Sequence, residues 1–480
     1  MVLSKLQITQ VRKLKIVKKV ITTALLVSFL VMNFIPVIAE ETKTTTTPKQ
    51  FKSMIKKNKK VSDDYKFAYV NMDWWGNFDD EILNSYIEKA ILHNYDLKMA
   101  TLSVDEYYQQ VKIQFGNELP QLTVAGGYGL NKMPGSTSTS PAFGLPILAS
   151  YEADIFLKNH DKTKSIKKLY EGSKLDERAA YIAIAAAVGT VYFNIVTLDK
   201  AIALQEEIVD VRQEIYDLFL ARNKEGLSST ADTVKANKSL VVGKSNLLDL
   251  QKRREQFLNQ LCVLVGESPE NADSLERTSI DDINYEIKIP DQIPSEIIIQ
   301  RPDYMKAELM VEKAGIDVRV AKKEFLPSLD LGALGLFTAS NLGSLFSTEN
   351  MLLGLGGGLI LPLFTGGKKV ANLRLKKATY ERILQNYYKT NLTAIQEVND
   401  TLIAAKLDRE KMLQTMEQYD LEKKDFSYNE KKYNQGTISK LDLIQFKENL
   451  LSIEKMVAQQ KVECMADAIS LYKATGSKPY

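Results

Sequence analysis

Hydrophobic positions along this chain follow two periods, and the switch between them occurs in the same order twice. Over 159–222, Val188, Val191, Ile195, Leu198, Ile202, Ile208, Val211, Ile215 and Leu218 advance mostly by threes and fours. That is the spacing of a helix burying one seam. Leu247, Leu250, Phe257, Leu261 and Leu264 carry the seam along a returning segment, with Arg254 interrupting it. A helix over 159–222 would be about 95 Å long. The second half repeats the arrangement over 366–433 and 440–475. The pattern predicts a long antiparallel helical hairpin, present twice. Any one stripe alone would equally describe an ordinary bundle core.

Ahead of each hairpin the period falls to two. Leu122, Val124 and Tyr128 alternate with Gln121, Thr123 and Ala125; Ile147, Ala149, Tyr151, Ala153 and Ile155 alternate with Ser150, Glu152 and Asp154. In the second half Leu329, Leu331, Ala333 and Phe337 oppose Ser328, Asp330 and Gly332. Met351, Leu353, Leu355, Leu359, Leu361 and Leu363 oppose Gly354, Gly356 and Gly358. Four strands are predicted, at about 121–131, 146–156, 328–338 and 351–363, long enough to cross an outer membrane when tilted. A soluble sheet with one buried face would alternate in the same way. Each strand pair follows a predicted helical stretch, 79–118 and 295–325, stopped by Leu119-Pro120 and Leu326-Pro327. Arg301-Pro302-Asp303 suits the start of the latter, since Pro and an acid are favoured in a first turn.

The halves are a tandem duplication. Gly226 and Asp232 recur as Gly436 and Asp442, both 210 positions on. Gly266 recurs as Gly476, and Thr197-Leu-Asp-Lys200 aligns with Lys406-Leu-Asp-Arg409. The predicted organisation is a first repeat over 71–270, a connecting segment over 271–294 and a second repeat over 295–477. Gly226 and Gly436 punctuate the hairpin turns, with Ser228 and Thr437 as expected caps of the returning helices. The acids at 232 and 442 fit a first helical turn, where they favour the dipole.

Composition narrows the function. With 63 Lys and Arg against 60 Asp and Glu, the chain gives no reason to expect nucleic acid. Two Cys and two His in 480 residues exclude a disulfide scaffold and a His-rich metal site. Cys262 and Cys464 are not equivalent in the duplication, so no disulfide is expected. No nucleophile–base pair, phosphate loop or metal spacing is present; neither enzyme activity nor a cofactor is expected. A mean hydropathy of −0.19 argues against a polytopic helical membrane protein.

Lys5 to Lys19 form a basic region, Val20–Phe34 an apolar run, and Ala39 ends a cleavage-like site before Glu40. Residues 1–39 read as a secretory signal peptide, with a transmembrane anchor as the alternative, and 40–70 as a polar linker. No Cys follows the apolar run to take a lipid. If the four strands lie in a membrane they cannot stand alone, because an open edge in lipid leaves backbone groups unpaired. Several chains must then pool strands; three would give twelve, continued by a hollow barrel of helices. A periplasmic coiled-coil structural or adaptor protein, or an envelope enzyme on a stalk, would share the heptads but not the paired Gly-rich strands.

Several segments resemble the TolC-like outer-membrane efflux factors. They run from Trp74-Trp75-Gly-Asn-Phe78 through Ser150-Tyr151-Glu152-Ala-Asp154, Arg301-Pro302-Asp303, Phe325-Leu-Pro327 and Pro362-Leu-Phe364-Thr-Gly366-Gly367 to Tyr433-Asn-Gln-Gly436. The resemblance covers nearly the whole chain after the linker. It implies a mainly α fold with membrane β: a homotrimer with a twelve-stranded outer-membrane barrel, four strands per chain, and a long periplasmic α-barrel. It implies an exit duct, with a periplasmic adaptor protein, an inner-membrane transporter and outer-membrane lipid as partners. Gly226, Leu227, Gly436 and Thr437 match the tip turns that an adaptor grips. Asp442 matches a carboxylate lining the closed aperture, and Tyr433 and Asp232 match positions linking neighbouring hairpins. Gln445 stands where the family often has a second acid, and Ile438 where it often has a latching Arg. The latch is then either apolar or made by Lys440 or Arg222.

Overall fold

A computed structural model describes residues 73–131, 139–285, 293 and 295–476; the expected signal peptide and linker lie outside them. Two helices open the fold, α1 (Glu81–His93) and α2 (Tyr95–Gly116). Strands β1 (Gln121–Val124), β2 (Gly127–Asn131) and β3 (Ser140–Ala153) follow. The first hairpin is α3 (Lys158–Lys224) with α4 (Thr230–Val265). The second half supplies α5 (Pro302–Lys323), β4 (Ser328–Ala339), β5 (Met351–Ile360), α6 (Lys368–Asn434) and α7 (Lys440–Ala474). The long helices α3 and α6 have 67 residues each and start and stop 210 positions apart.

Four expectations need correction. The stretch 79–118 is two helices, because Asn94 leaves helical geometry at ψ 132°. Its side chain caps α2, accepting from Asp96 N and Leu97 N at 2.8 and 3.1 Å. The strand at 121–131 is interrupted at 125–126. Both pieces keep one register on β3, but Pro146 stands opposite and has no N–H to return the bond that Ala125 N gives its carbonyl. The second strand begins at Ser140 rather than 146: the donor that Pro146 lacks is aimed toward β1 and β2, and the one that Pro141 lacks is aimed to the other side, beyond the first β4 pair at Phe143. The fourth stops at Ile360 rather than 363, just before Pro362.

The sheet is antiparallel, with β1 and β2 on one side of β3 and β4 then β5 on the other. Its register sorts the side chains. Val124, Ile147, Gly335 and Leu353 fall in one cross-strand row, and Leu122, Ala149, Ala333 and Leu355 in the next on the same face. Tyr128, Phe143 and Ala339 extend that face, which is apolar throughout. The opposite face carries Thr123, Ser150, Glu152, Asp330, Thr338, four glycines of β4 and β5, and a patch of leucines. Glu152 stands directly across from Asp330 and pairs with Lys158 at 2.6 Å. Asp154 is used at the start of α3, accepting from Lys158 N and His160 N. That helix begins after Leu157 at φ 56°, where the duplicate helix begins after Gly367 at φ 79°.

Helices line up four abreast at two levels. Next to the sheet the order is α2, α3, α5, α6; toward the hairpin turns it is α4, α3, α7, α6. Between the levels lies the main core. Trp74 stacks on Tyr472 at 5.5 Å, Phe78 meets Phe193 at 4.7 Å, and Leu83, Ile87, Ile195, Leu261 and Met465 close around them. Trp74 is a buried packing anchor. Asp80 caps α1 and accepts from Tyr192 and Thr278 at 2.7 and 3.1 Å, joining three distant segments. Arg301 donates to Ala474 O, Asp303 and Glu397, joining the start of α5 to the end of α7. Both thiols are free. In the stripe of α3, Val188, Val191, Ile195, Ile202, Ile208 and Val211 are buried, while Leu198, Ile215 and Leu218 are half-buried.

Gly266 ends α4 at φ +77°, and a Cβ there would come 2.6 Å from the His93 carbonyl oxygen. Gly436 has φ +73° but open space around it. Gly266→Ala is expected to cost roughly 2–4 kcal/mol, against about 1 kcal/mol for Gly436→Ala, where only backbone strain applies. Thermal unfolding of the two variants side by side measures the difference.

Candidate functional site at the hairpin tips

Each tip is a short turn held by its own backbone. At the first, Gly226 at φ 72° lets Leu227 N reach Arg222 O at 2.7 Å while Gly226 N bonds Asn223 O. At the second, Gly436 at φ 73° lets Thr437 N reach Lys432 O at 2.9 Å while Gly436 N bonds Tyr433 O. Both are the paired six-to-one and five-to-two bonds of a glycine-terminated helix. The caps of the returning helices are Ser229 and Ser439, not Ser228 and Thr437. Those two hydroxyls instead bond back to Phe219 O and Lys432 O, which tightens the preceding helix end.

Asp232 and Asp442 complete capping boxes. Ser229 Oγ accepts from Asp232 N, and the Asp232 carboxylate accepts from Ser229 N and Oγ; Ser439 and Asp442 repeat this. The serine hydroxyl and amide hold both carboxyls below their usual range. A carboxyl depressed on folding stabilises above its unfolded value and stops doing so as pH falls through the folded one. Both side chains are therefore anionic, and both caps intact, from the ordinary carboxylate range upward. Leu227 is exposed at 69% and Thr437 is exposed beside it in the turn sequence of the other tip.

Within this chain neither Asp232 nor Tyr433 bridges the hairpins. Asp232 is taken up by its own helix, and Tyr433 lies beside Lys440. The bridges come from other residues. Lys440 pairs with Glu214 on the first hairpin, and Arg222 gives its carbonyl to the turn. Farther from the tip, Arg212 donates to Glu448 at 2.8 and 2.6 Å and to Ser239 O at 3.1 Å. Gln205 donates to Gly243 O and accepts from Lys455. Leu204, Ile208, Val211, Ile444 and Leu451 pack in the same seam. The sequence reading did not single out Glu214, Arg212, Gln205, Glu448 or Lys455. One available signal was Gln205 and Arg212 lying inside the apolar stripe of a helix that must meet two partners.

The Lys440–Glu214 pair is exposed, so its effect is expected in tip position rather than in overall stability. Lys440→Glu or Glu214→Lys should widen the distance between labels at 227 and 437, and the double exchange should restore it. Unchanged distances in both single variants would remove this pair from any role in holding the tips.

With the geometry in place, the relatives can be compared. Residues 86–267 and 293–477 match the family model described as outer membrane efflux protein, one stretch per repeat. The chain is 26% identical over 420 residues to the probable efflux pump outer membrane protein TtgC of Pseudomonas putida, covering 86% of each. It is 26% identical over 422 residues to the cation efflux system protein CusC of Escherichia coli, covering 85% of this chain and 89% of that one. The Campylobacter jejuni CmeC outer membrane channel superposes with a TM-score of 0.77 at 25% identity, over 85% of this chain and 88% of that one. The open Neisseria gonorrhoeae MtrE outer membrane channel shares the fold, with a TM-score of 0.75 at 24% identity over 87% and 94%. The two family matches span most of the chain, and the sheet, the helical rows and the paired hairpins are the fold of these channels. The chain belongs to the outer membrane efflux protein family, and it is an outer-membrane efflux channel.

Proposed function

We propose that three copies of this chain close into one exit duct, which passes solutes by gated diffusion and catalyses no reaction. The observation that carries this is the sheet register. It gives one wholly apolar face and leaves β5 and the β1/β2 side as unpaired edges. In lipid those edges must pair, and the chain itself has no further strand among the described residues to pair them. The helical rows also end in open sides, α2 and α6 near the sheet, α4 and α6 near the tips. One rotation that joins β5 to the next chain's β1/β2 joins these sides as well. A soluble coiled-coil protein offers no use for an exposed apolar sheet face.

In this reading the amino-terminal segment is a signal peptide cut after Ala39, and the strands sit in outer-membrane lipid. The tip turns at Gly226, Leu227, Gly436 and Thr437 dock a periplasmic adaptor, which links the duct to an energised inner-membrane transporter. Three copies of Asp442 form the aperture ring, anionic at neutral pH, which favours cations. Tyr433 and Asp232 act across the chain boundary, and Lys440 and Arg212 hold the two hairpins of one chain together. TtgC of one strain is named for toluene and CusC for cations; the polar face of the sheet here suits a water-filled passage.

Two measurements test the proposal. Leu355→Arg, on the apolar face, is expected to cost about 2–4 kcal/mol and to block outer-membrane insertion, whereas Thr338→Lys on the other face should insert normally. Equal behaviour of the two, or a water-soluble monomer, would remove the barrel. In planar bilayers Asp442→Ala is expected to lower cation preference several-fold; unchanged selectivity would move the aperture elsewhere.

A further inference from the structure

The second hairpin carries a pair of carboxyls, Asp408 on α6 and Asp467 on α7. Helices α3 and α6 start and stop 210 positions apart, and at that structural offset the two stand where the first hairpin has Leu198 and Phe257; Asp199, the motif counterpart of Asp408, is paired with Arg254 and Arg277. Oδ2 of Asp467 is shut off from solvent, and no donor reaches it among the described residues. Asp408 faces the same stretch of α7: its backbone carbonyl accepts from Gln460 Nε2 and Cys464 Sγ, and Lys411 stands between its carboxyl and Glu463. Carboxylates only accept, so a buried carboxyl oxygen without a donor, in a cluster of further carboxyls, favours holding a proton.

The surrounding charges do not relieve the pair. Lys411 faces it from α6, but this side chain is paired with Glu463 at 3.0 Å and stands 3.9 Å from Asp408. On α7, Glu463 and the thiol of Cys464 flank Asp467. Gln460 Nε2 and Cys464 Sγ are turned to the backbone carbonyl of Asp408 and not to its side chain. From α3, on the other side of α7, the cations that reach this helix are Lys200 and Arg212. They pair with Glu454 and Glu448, nearer the tip. The 3-10 turn Asp73–Phe78 meets α7 through Trp74 and through Asn77 on the Tyr472 hydroxyl. Lys411 thus serves both Asp408 and Glu463. Burial first, and then Asp408, push the Asp467 carboxyl up to about 7.

We propose that Asp408 and Asp467 form a proton-holding clasp that ties α6 to α7 while protonated and loosens the second hairpin, but not the first, when the proton leaves. The native clasp binds its proton more tightly than the unfolded chain does. Its contribution is complete below the ordinary carboxylate range and is lost as pH rises toward and past neutrality. The inference concerns the hairpin itself and does not depend on what docks at the tips.

Hydrogen exchange on the full-length protein in detergent tests it, at pH 5.5 and 7.5 with the chemical exchange rate divided out. Amides around 408 and 467 are expected to open roughly tenfold more often at the higher pH, and those around 198 and 257 to stay level. Asp467→Asn and Asp408→Asn should each flatten the response, so one suffices if the other fails to assemble. An infrared band of a protonated carboxyl, present at pH 5.5 and absent from Asp467→Asn, should fade by pH 7.5. A pH response that persists in the variants, or is equal in both hairpins, or the absence of that band in the unmodified protein, would overturn the clasp.

Discussion

Unpaired backbone at the edge of an apolar sheet is the constraint on which the rest of this molecule depends. The register places Leu122, Val124, Tyr128, Phe143, Ile147, Leu353 and Leu355 on one face, and among the described residues no second layer packs over it; Leu122, Val124, Tyr128, Leu353 and Leu355 are exposed. Such a face belongs in lipid, and lipid tolerates no open edge. Closure has to come from other chains. The same demand passes down through Leu157 and Gly367, where left-handed residues turn strands into helices, to helical rows four wide with open sides of their own. A barrel of strands continuing into a barrel of helices is the arrangement that satisfies both levels at once.

The duplication explains why the hairpins match and where they differ. Gly226 and Gly436, Ser229 and Ser439, and Asp232 and Asp442 build the same tip twice from local backbone bonds, so each tip is set before any contact with its neighbour. The differences lie where one hairpin meets the other or meets itself. Arg212–Glu448 and Lys440–Glu214 cross between hairpins through residues that the duplication does not repeat; Glu422, Lys238, Thr230 and Lys424 stand at the counterpart positions. At the offset of 210 shared by the helix ends, Asp408 and Asp467 stand where the first hairpin has Leu198 and Phe257. Polar contacts between rods can exchange partners, while a dry apolar seam resists sliding.

Between membrane and tips, the core around Trp74, Phe78, Tyr192 and Tyr472 acts as the fixed point. It draws on both repeats and the connecting segment, and Asp80 ties α1, α3 and Thr278 through charge-assisted hydrogen bonds. Gly189 lies beneath the Trp74 ring, where a Cβ would meet Ile469 and Trp74 at 3.0 and 3.3 Å. Tight packing here lets long helices bend elsewhere without losing register.

The sequence by itself determined the elements that local physics controls. Periods of three-to-four and two marked hairpins and strands, glycines 210 positions apart marked the turns, and Pro after Leu marked the helix ends. Each of these is written within a few residues. It misplaced what depends on a partner across space. Asn94 breaks a periodic helix because its side chain caps the next one and also reaches Leu264 O. Pro146 interrupts a strand it does not belong to, since the missing donor is noticed only by Ala125. Ser228 and Ser229 look alike as caps until the turn geometry assigns one to each helix. The pairing of Arg212 with Glu448 and of Lys440 with Glu214 is visible only in the folded chain. Those partners come from helices of different hairpins, and no local pattern records which rod of one hairpin lies beside which rod of the other.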